Sequence, residues 1–363
     1  MPDMQRPPAE LRYADELELL RQRDRKDNRP VAPGWQLSAQ SVVEFVLGDG
    51  QEVTSKYVGR RSLVERCVVS LATNRGLMLI GEPGTAKSLL SELLAAAISG
   101  DTTLTIQGSA ATTEDAIKYS WNYAMLLAEG PTLKSLVPAP VHRGMSEGKV
   151  VRFEEITRCA PEVQDSMLSV LSDRTLSIPE LDATHRTLYA KRGFNVIGTA
   201  NTRDRGVNEM SSALKRRFNI IVLPAPATLE TEVSIVTKRV TEIANNYRLK
   251  AALPTSEAIE KIVTIFRELR KGATLDEKQK LKSPSGVIST AEAISLITNS
   301  MALAGSFGNG TVSDTDLASG LQGAVVKDED KDKLVWKEYL ENVMKKRGAA
   351  WRELYNSCSE MNS

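Results

Sequence analysis

Short apolar runs alternate with longer helical patterns over much of the first two thirds of the chain. The short runs, which predict buried strands, occupy residues 76–80, 104–107, 150–153 and 194–199. Helical patterns separate these runs, for example at residues 88–98 and 161–172. Because strands alternate with helices, the sequence predicts an α/β domain in which a parallel sheet is covered by helices on both faces.

Towards the C-terminus the strand pattern stops and only helical patterns continue. Apolar side chains recur at helical spacing in residues 256–270, with Thr255 as the candidate N-cap and Gly272 as the stop. A second helix is predicted over residues 291–304, and apolar positions in residues 336–343 mark a third. This part of the chain therefore predicts a smaller, all-α domain.

The change of pattern divides the chain into three segments. Residues 51–225 are the predicted α/β domain and residues 226–363 the predicted helical domain. Residues 1–50 are rich in proline and carry a charged, helical pattern, so we interpret them as an extension that packs on another surface or stays partly mobile. The charged run at residues 327–331 is interpreted as a solvated loop.

Composition narrows the classes of function. Of the 363 residues, 41% are hydrophobic and 26% are charged, which is typical of a globular protein in water. A net charge of +1 gives no overall basic surface for nucleic acid, so a nucleic-acid partner is not favoured. Two histidines and three distant cysteines do not suit a zinc site, a histidine-based triad or a disulfide framework. We find no apolar leader and no run of about 18 apolar residues, and therefore expect a cytoplasmic protein without a membrane span.

A glycine-rich segment lies between the first predicted strand and the helix that follows it. It comprises Gly81, Glu82, Pro83, Gly84, Thr85, Ala86, Lys87 and Ser88. In this setting backbone N–H groups can surround phosphates, Lys87 reaches the β- and γ-phosphates, and Ser88 holds Mg²⁺ through its hydroxyl. Ala86 replaces the glycine of the strict pattern and has less freedom in φ and ψ. We predict a site for ATP and Mg²⁺, the alternative being a chance glycine-rich turn.

Two carboxylates end the predicted strand at residues 150–153. Glu154 is predicted to contact Mg²⁺ and Glu155 to orient the attacking water. The alternative is a pair of surface glutamates at a strand end. The usual metal-side residue is Asp, which is one methylene shorter than Glu154, and Arg152 interrupts a strand that is usually apolar.

Two further polar positions follow in the expected order. Asn201 ends the strand predicted at residues 194–199 and is a candidate for sensing the γ-phosphate or positioning water, although such residues often form turns. Arg217, with Arg216 in reserve, is a candidate arginine finger for the ATP of a neighbouring subunit. The alternative for this segment is a solvated basic turn.

These four motifs, in this order, resemble those of the AAA+ ATPases, and the best match is the MoxR family. The matching segments are GEPGTAKS from residue 81, FEEITRCAPEVQDSMLSVLSDRTLSI from residue 153, FNVIGTAN from residue 194 and ALKRRF from residue 213. The resemblance covers residues 52–225 well and the helical domain loosely. It implies a P-loop AAA+ core with a helical lid.

The resemblance implies further properties. It implies a homo-oligomeric ring, usually a hexamer, with ATP between subunits, and a von Willebrand factor A-domain protein as a partner. Tyr57 and Val58 are similar to the segment that flanks the adenine. Insertions at residues 111–130 and 176–192 are similar to elements that face the pore or the client protein.

One expected element of this family is missing, and one additional arginine matches. The lid usually provides a sensor 2 arginine at the start of a helix, but the corresponding residues 289–292 contain no Arg. Arg158, shortly after the two carboxylates, is similar to a family arginine and suits either a role at the subunit interface or an ordinary surface salt bridge.

Three functions are compatible with these features. The leading hypothesis is an ATPase that remodels or activates a partner protein, as a chaperone does. A nucleic-acid-associated motor is the second, motivated by Arg203, Arg205 and the aromatic and basic residues in 118–123, for which helix packing is the favoured interpretation. A nucleotide-dependent scaffold with little hydrolysis is the third, motivated by Glu154, Arg152 and the missing sensor 2 arginine.

Overall fold

The chain divides into two compact units. The computed structural model describes residues 4–201, 208–286 and 288–361. The first unit comprises Met1–Glu82 and Ala86–Leu223, and the second comprises Pro224–Ser363 with the loop residues Pro83–Thr85. The first contains a parallel sheet and the second is helical, which confirms the predicted fold class.

The main sheet of the first unit is parallel and has the order β2-β5-β8-β1-β9. The strands of the first unit, within and outside this sheet, are β1 (Gly76–Gly81), β2 (Thr105–Gln107), β3 (Tyr119–Trp121), β4 (Leu136–Pro138), β5 (Val150–Glu154), β6 (Thr175–Ser177), β7 (Thr187–Tyr189), β8 (Asn195–Asn201) and β9 (Phe218–Leu223). The predicted strands correspond to β1, β2, β5 and β8, whereas β9 was not predicted. Since the strands of the sheet are parallel, β1, β5 and β8 deliver their C-terminal residues to one edge.

Helices cover both faces of this sheet. They are α1 (Ala9–Arg12), α2 (Ala14–Lys26), α3 (Ala39–Leu47), α4 (Arg61–Leu71), α5 (Lys87–Ser99), α6 (Glu114–Ile117), α7 (Tyr123–Glu129), α8 (Pro140–Glu147), α9 (Pro161–Asp165), α10 (Leu168–Ser172) and α11 (Ser212–Lys215). Leu77 and Leu79 of β1 lie in a core shared with α4 and α5. Met78, between them, lies in the opposite core with residues of α8 and α10. The alternation of side chains along a strand thus places one core on each face.

The N-terminal helices belong to the first of these cores. Leu17 of α2 and Phe45 of α3 are fully buried there together with apolar residues of α5. Arg12 also forms an ion pair of 2.9 Å with Glu92, a buried carboxylate on α5. The interpretation of residues 1–50 as an extension that packs elsewhere or stays mobile differs from this arrangement, because the apolar face of α2 is covered by the α/β unit itself.

A buried carboxylate joins α2 to the start of α3. Asp24 is 4% exposed and accepts hydrogen bonds from the backbone N–H of Ser38 (2.7 Å), the Ser38 hydroxyl (2.6 Å) and the Ser41 hydroxyl (2.6 Å). Ser38 is the N-cap of α3, and its Oγ accepts a hydrogen bond from the N–H of Ser41. The carboxylate therefore fixes the cap that begins the next helix.

Substitution of this carboxylate is expected to destabilise the unit. Asp24→Ala leaves buried donors of Ser38 and Ser41 without an acceptor, so the free energy of unfolding should fall by about 3 kcal/mol. Asp15→Ala is the matched control, since Asp15 lies on the same helix but is exposed, and its loss should cost less than about 1 kcal/mol. Urea denaturation followed by circular dichroism measures both. Equal losses in the two variants would contradict the structural role of Asp24.

Two antiparallel hairpins, β3–β4 and β6–β7, lie outside the main sheet. They coincide with the two insertions expected from the sequence, although the first continues beyond residue 130 to the end of β4. The Tyr119 hydroxyl donates a hydrogen bond of 3.1 Å to the Glu180 carboxylate and so links the two hairpins. Between β3 and β4, α7 exposes Tyr123 (70%) and Leu127 (89%).

The second unit is built from helices around its own core. In the described residues these are α12 (Leu229–Asn246), α13 (Ser256–Lys271), α14 (Thr290–Phe307), α15 (Asp314–Val325), α16 (Glu329–Asn342) and α17 (Arg352–Met361). Trp336 and Tyr339, which marked a predicted helix, stack at 5.9 Å in that core. The helix predicted over residues 291–304 continues to Phe307.

The charged run at residues 327–331 is not a loop throughout. Asp328 is the N-cap of α16 and accepts a hydrogen bond from the N–H of Lys331, so the run begins a helix.

In the described part of the chain no helix has both the length and the apolar character that a membrane crossing requires.

Candidate functional site

The glycine-rich segment connects β1 directly to α5. β1 ends at Gly81 and α5 begins at Lys87. Within the loop Gly84 has a φ of +80° and Ala86 a φ of 61°, both in the left-handed region. Alanine in this conformation costs about 1–2 kcal/mol relative to a right-handed one, which explains why glycine is usual there. The loop backbone and the first turn of α5 present N–H groups at a helix N-terminus, where phosphates are favoured.

Lys87 is buried beneath the loop that precedes it. Its side chain is drawn back from the helix, and Nζ donates hydrogen bonds to the carbonyl oxygens of Gly81 (3.0 Å) and Glu82 (2.8 Å). The residue is 8% exposed. The ammonium is therefore held at the loop, as expected for a lysine that contacts phosphate oxygens.

Ser88 and Glu154 meet at the C-terminal edge of the sheet. The Ser88 Oγ donates a hydrogen bond of 2.8 Å to Oε2 of Glu154, which is 4% exposed. A hydroxyl and a carboxylate are the oxygen ligands that Mg²⁺ prefers. The two residues predicted to hold the metal therefore lie together, and their donor atoms fit Mg²⁺.

Further side chains surround the Glu154 carboxylate. Oε1 accepts hydrogen bonds from Ser91 Oγ (2.6 Å) and Arg152 Nη2 (2.9 Å), and Oε2 accepts one from Thr199 Oγ1 (2.8 Å). Burial, the largest effect, raises the pKa of Glu154, but the effects that lower it, led by the Ser91 hydrogen bond and the charge of Arg152, outweigh burial. The pKa therefore lies below its usual value, and the carboxylate is ionised near neutral pH.

Two of these partners, Ser91 and Thr199, were not identified from the sequence. Ser91 lies one helical turn after Ser88 and therefore on the same face of α5. Thr199 lies two positions before Asn201 on β8 and therefore on the same face of that strand. These spacings can be read from the sequence, but they indicate a contact with Glu154 only once α5 and β8 are known to lie beside β5.

Glu155 follows the strand in an unusual backbone conformation. Its φ is 55° and its ψ is 42°, in the left-handed region. The N–H donates a hydrogen bond of 2.9 Å to Thr199 Oγ1, and Oε2 of the carboxylate pairs with Arg158 Nε at 2.7 Å. The two carboxylates thus have different surroundings: Glu154 contacts the other predicted metal ligand, Ser88, and Glu155 pairs with Arg158 and is about one third exposed.

Asn201 lies beside the start of the phosphate loop. It is the last residue of β8, and its Cα pairs in register with that of Gly81 on β1. Because β8 lies between β1 and β5, Asn201 ends between the loop and the strand that carries Glu154. The predicted loop, carboxylate and amide residues thus end at one edge of the sheet.

The two candidate finger arginines differ in their surroundings. Arg217 Nε donates to Ser172 Oγ at 2.8 Å and Nη1 donates to the Ala213 carbonyl oxygen at 3.1 Å. Arg216 is exposed, and the described residues offer its guanidinium no hydrogen-bond or ion-pair partner. Of the two, Arg216 is the one available to a neighbouring molecule, whereas the sequence prediction preferred Arg217.

The predicted adenine segment combines a buried and an exposed residue. The Tyr57 ring is buried in the core, and burial together with the nearby Cys67 raises the pKa of its hydroxyl to about 12. Val58 is 43% exposed. Val58 therefore offers an apolar surface to a ligand, while Tyr57 fixes the backbone of the segment through core packing.

The start of α14, where a sensor 2 arginine was expected, is held by other contacts. Ser289 caps the helix, and Thr290 Oγ1 donates to the buried Glu232 carboxylate at 2.6 Å. Arg267 and Arg270 of α13 both pair with that carboxylate at 2.8 Å. Both arginines are therefore engaged inside the helical unit.

The residues that suggested nucleic-acid binding give little support to it. Arg203 and Arg205 lie outside the described residues. Lys118 is paired with Glu114, and the rings of Tyr119 and Trp121 pack edge to face at 6.0 Å. The lysine thus has an acidic partner and the two rings pack on each other, as in the favoured packing interpretation, whereas Tyr123 of the same segment is 70% exposed.

Comparison with protein families gives two matches that together cover most of the chain. A family model for the AAA domain (dynein-related subfamily) matches residues 76–218. A family model for the YehL-like AAA+ ATPase C-terminal domain matches residues 230–362. The two matched regions lie in the α/β unit and in the helical unit.

Similar proteins and structures agree with these matches. The uncharacterized protein YehL of Escherichia coli (strain K12) is 47% identical over 356 residues, which cover 98% of this chain and 97% of that protein. An uncharacterized protein of Staphylococcus aureus (strain USA300) is 29% identical over 149 residues, or 41% of this chain and 55% of that protein. The crystal structure of NtrX from Brucella abortus in complex with ATP shares the fold, with a TM-score of 0.51, 14% identity, and coverage of 86% of this chain and 65% of the NtrX chain.

Proposed function

Because the chain belongs to the AAA+ ATPases, in their YehL-like family, we propose that it hydrolyses ATP to remodel or activate a partner protein. This membership confirms, at the level of family, the recognition of a MoxR-type AAA+ ATPase from the sequence motifs. The remodelling activity, the ring and the partner described below are parts of the proposal.

The contact between Ser88 and Glu154 is the observation that carries the proposal. This contact joins α5, the helix that follows the phosphate loop, to the end of β5, where the predicted metal ligand Glu154 lies. Mg²⁺ bound there would neutralise charge on the β- and γ-phosphate oxygens. Lys87 would hold the same oxygens from the loop, and ATP with Mg²⁺ is the proposed ligand.

Glu155 and Asn201 supply the groups that act on water. A carboxylate that is separate from the metal ligands can accept a hydrogen bond from the attacking water and orient it towards the γ-phosphate. Asn201, which ends beside Gly81, can orient that water or contact the γ-phosphate with its amide. The ion pair between Glu155 and Arg158 engages Oε2, and the carboxylate keeps further acceptor positions for the water.

We further propose a homo-oligomeric ring, most simply a hexamer, with ATP shared between subunits. The exposed Arg216 supports this arrangement, because a guanidinium that has no partner among the described residues is suited to the ATP of a neighbour. Tyr123 and Leu127, which are exposed on the first insertion, suit contact with a client protein. A von Willebrand factor A-domain protein is the proposed partner class, in the cytoplasm, where ATP is present.

Lys87→Ala is expected to abolish ATP binding. The substitution removes the buried cation that the loop holds at Gly81 and Glu82, so affinity should fall at least about 100-fold. A fluorescent ATP analogue titrated into the purified protein measures this loss. Wild-type affinity in the variant would contradict the predicted phosphate site.

ATP turnover over a range of protein concentrations tests the proposed function as a whole. Turnover per subunit should rise with concentration, because each shared site needs two subunits, and it should be absent in Lys87→Ala. Tight ATP binding without turnover at any concentration would instead favour a nucleotide-dependent scaffold. The ion pair of Glu155 with Arg158 and the absence of an arginine at residues 289–292 are the features that favour this second candidate.

A further inference from the structure

Arg152 is a buried cation in the middle of the strand that carries the predicted metal ligand. The residue is 9% exposed. Its guanidinium donates hydrogen bonds to Ser91 Oγ (3.1 Å), Glu154 Oε1 (2.9 Å), the Ser88 carbonyl oxygen (3.3 Å), Thr105 Oγ1 (3.3 Å) and the Thr102 carbonyl oxygen (3.4 Å). Burial of an arginine is costly unless its donors are satisfied, and here the contacts are spread over the whole guanidinium.

The two oxygens of the Glu154 carboxylate have different surroundings. Oε1 accepts hydrogen bonds from Arg152 and Ser91, whereas Oε2 accepts them from two hydroxyls, those of Thr199 and of Ser88, the other predicted metal ligand. Ser91 also links Arg152 to Glu154, since its hydroxyl accepts a hydrogen bond from Arg152 Nε and donates one to Glu154 Oε1. The charged donor thus lies on Oε1, and Oε2 is the oxygen that adjoins the other predicted metal ligand.

We propose that Arg152 and Ser91 are positioning residues that anchor Oε1 of Glu154 and so present Oε2, beside Ser88, to the divalent cation. This inference rests on the proposed ATPase function. The glutamate has one more rotatable bond than the aspartate usual at this position, and the anchor removes that freedom. The two departures from the family pattern, Arg152 and Glu154, are therefore coupled, because the longer side chain of Glu154 requires the buried arginine to hold it in position.

The coupling between Mg²⁺ and nucleotide separates this role from a structural one. The affinity for ATPγS, a slowly hydrolysed analogue, is measured with saturating Mg²⁺ and with EDTA, and the ratio reports the contribution of the metal. In Arg152→Met this ratio should fall about 10–100-fold, as is typical when a group that orients a metal ligand is lost. The affinity in EDTA should stay within about threefold of wild type, because the phosphate loop is unchanged.

Additional variants keep the test valid if Arg152→Met folds poorly. Ser91→Ala removes the other anchor of Oε1 and should lower the same ratio. Its matched control is Ser70→Ala, because the buried Ser70 hydroxyl on α4 donates to the Arg66 backbone at 2.7 Å and is not one of the hydroxyls bound to Glu154. Arg152→Lys keeps the charge and should restore part of the ratio. In Arg152→Met combined with Glu154→Gln the ratio should equal that of Glu154→Gln alone, because Arg152 acts through Glu154.

The possible results separate the inference from the proposed function. If wild-type protein does not bind ATPγS, or binds it equally in Mg²⁺ and EDTA, the proposed function fails and the positioning role with it. If wild type shows the coupling but Arg152→Met and Ser91→Ala retain it, only the positioning role is overturned. An additive loss in the double variant also overturns it, because Arg152 would then act independently of Glu154.

Discussion

Glu155→Gln is expected to lower ATP turnover by about 10²–10⁴-fold while ATP affinity stays within a few-fold of wild type. The amide keeps the size of the side chain but loses the charge that orients and polarises the attacking water. Binding should persist because Lys87 and the predicted metal ligands Ser88 and Glu154 are unchanged. Steady-state phosphate release and fluorescent-nucleotide binding measure the two quantities separately.

The neighbouring ion pair provides a control for this result. Glu155 is bound to Arg158 at 2.7 Å, so Glu155→Gln also frees an arginine. Arg158→Ala removes the pair but keeps the carboxylate, and turnover in this variant should remain far above that of Glu155→Gln. Turnover that is normal in Glu155→Gln would exclude Glu155 as the group that acts on water.

Arg216→Ala is expected to reduce turnover by about 10³–10⁵-fold, which is the usual contribution of an arginine finger to kcat. Arg216 is exposed and has no partner among the described residues, so it is the candidate for contact with the ATP of an adjacent subunit in the proposed ring. Arg217→Ala should have a smaller effect on turnover, because Arg217 already binds Ser172 and Ala213 in its own chain. The reverse order of effects would favour Arg217, as predicted from the sequence.

Mixing variants tests whether the arginine acts between subunits. Arg216→Ala subunits keep Glu155, and Glu155→Gln subunits keep Arg216. In a ring with shared sites, some interfaces of the mixture contain both native residues, so two nearly inactive preparations should together regain turnover. If mixing restores nothing although the subunits exchange, as a labelled-subunit assay can verify, an arginine acting across subunits is excluded.

The site was predictable from the sequence where its residues form contiguous motifs. Lys87 and Ser88 belong to a recognisable loop between a strand and a helix, and Glu154 and Asn201 each end an apolar strand. Parallel strands deliver such residues to one edge, so their proximity followed from the fold class. The observed contact between Ser88 and Glu154 agrees with that reasoning.

The sequence was less informative where a role depends on tertiary neighbours. Ser91 and Thr199 contact Glu154 only because α5 and β8 flank β5, which no local pattern states. Arg152 could be identified as a departure but not as a partner of Glu154. The choice between Arg216 and Arg217 depends on the direction of each side chain after α11, and adjacent positions in a sequence do not give that direction.

Two parts of the fold were missed for physical reasons. β9 follows the basic turn at once, and its apolar residues are partly exposed because it is an edge strand, with Val222 62% exposed. The N-terminal helices were interpreted as an extension because prolines and charges dominate residues 1–50. Their few apolar residues are nevertheless spaced to cover one side of the α/β core, a property that is apparent only when the core is present.

Because the N-terminal helices pack on α5, the limit of the family match and the limit of the hydrophobic core differ in this protein. The AAA-domain match begins at residue 76, the first residue of β1, but the buried residues that complete the same core begin at Ala9. Arg12 of this segment pairs with Glu92, on the helix whose first turn carries Lys87 and Ser88. The part of the chain that the AAA-domain family model matches is thus smaller than the part that shares this core. A domain limit drawn at residue 76 would cut through a hydrophobic core and remove Arg12, the ion-pair partner of Glu92 on α5.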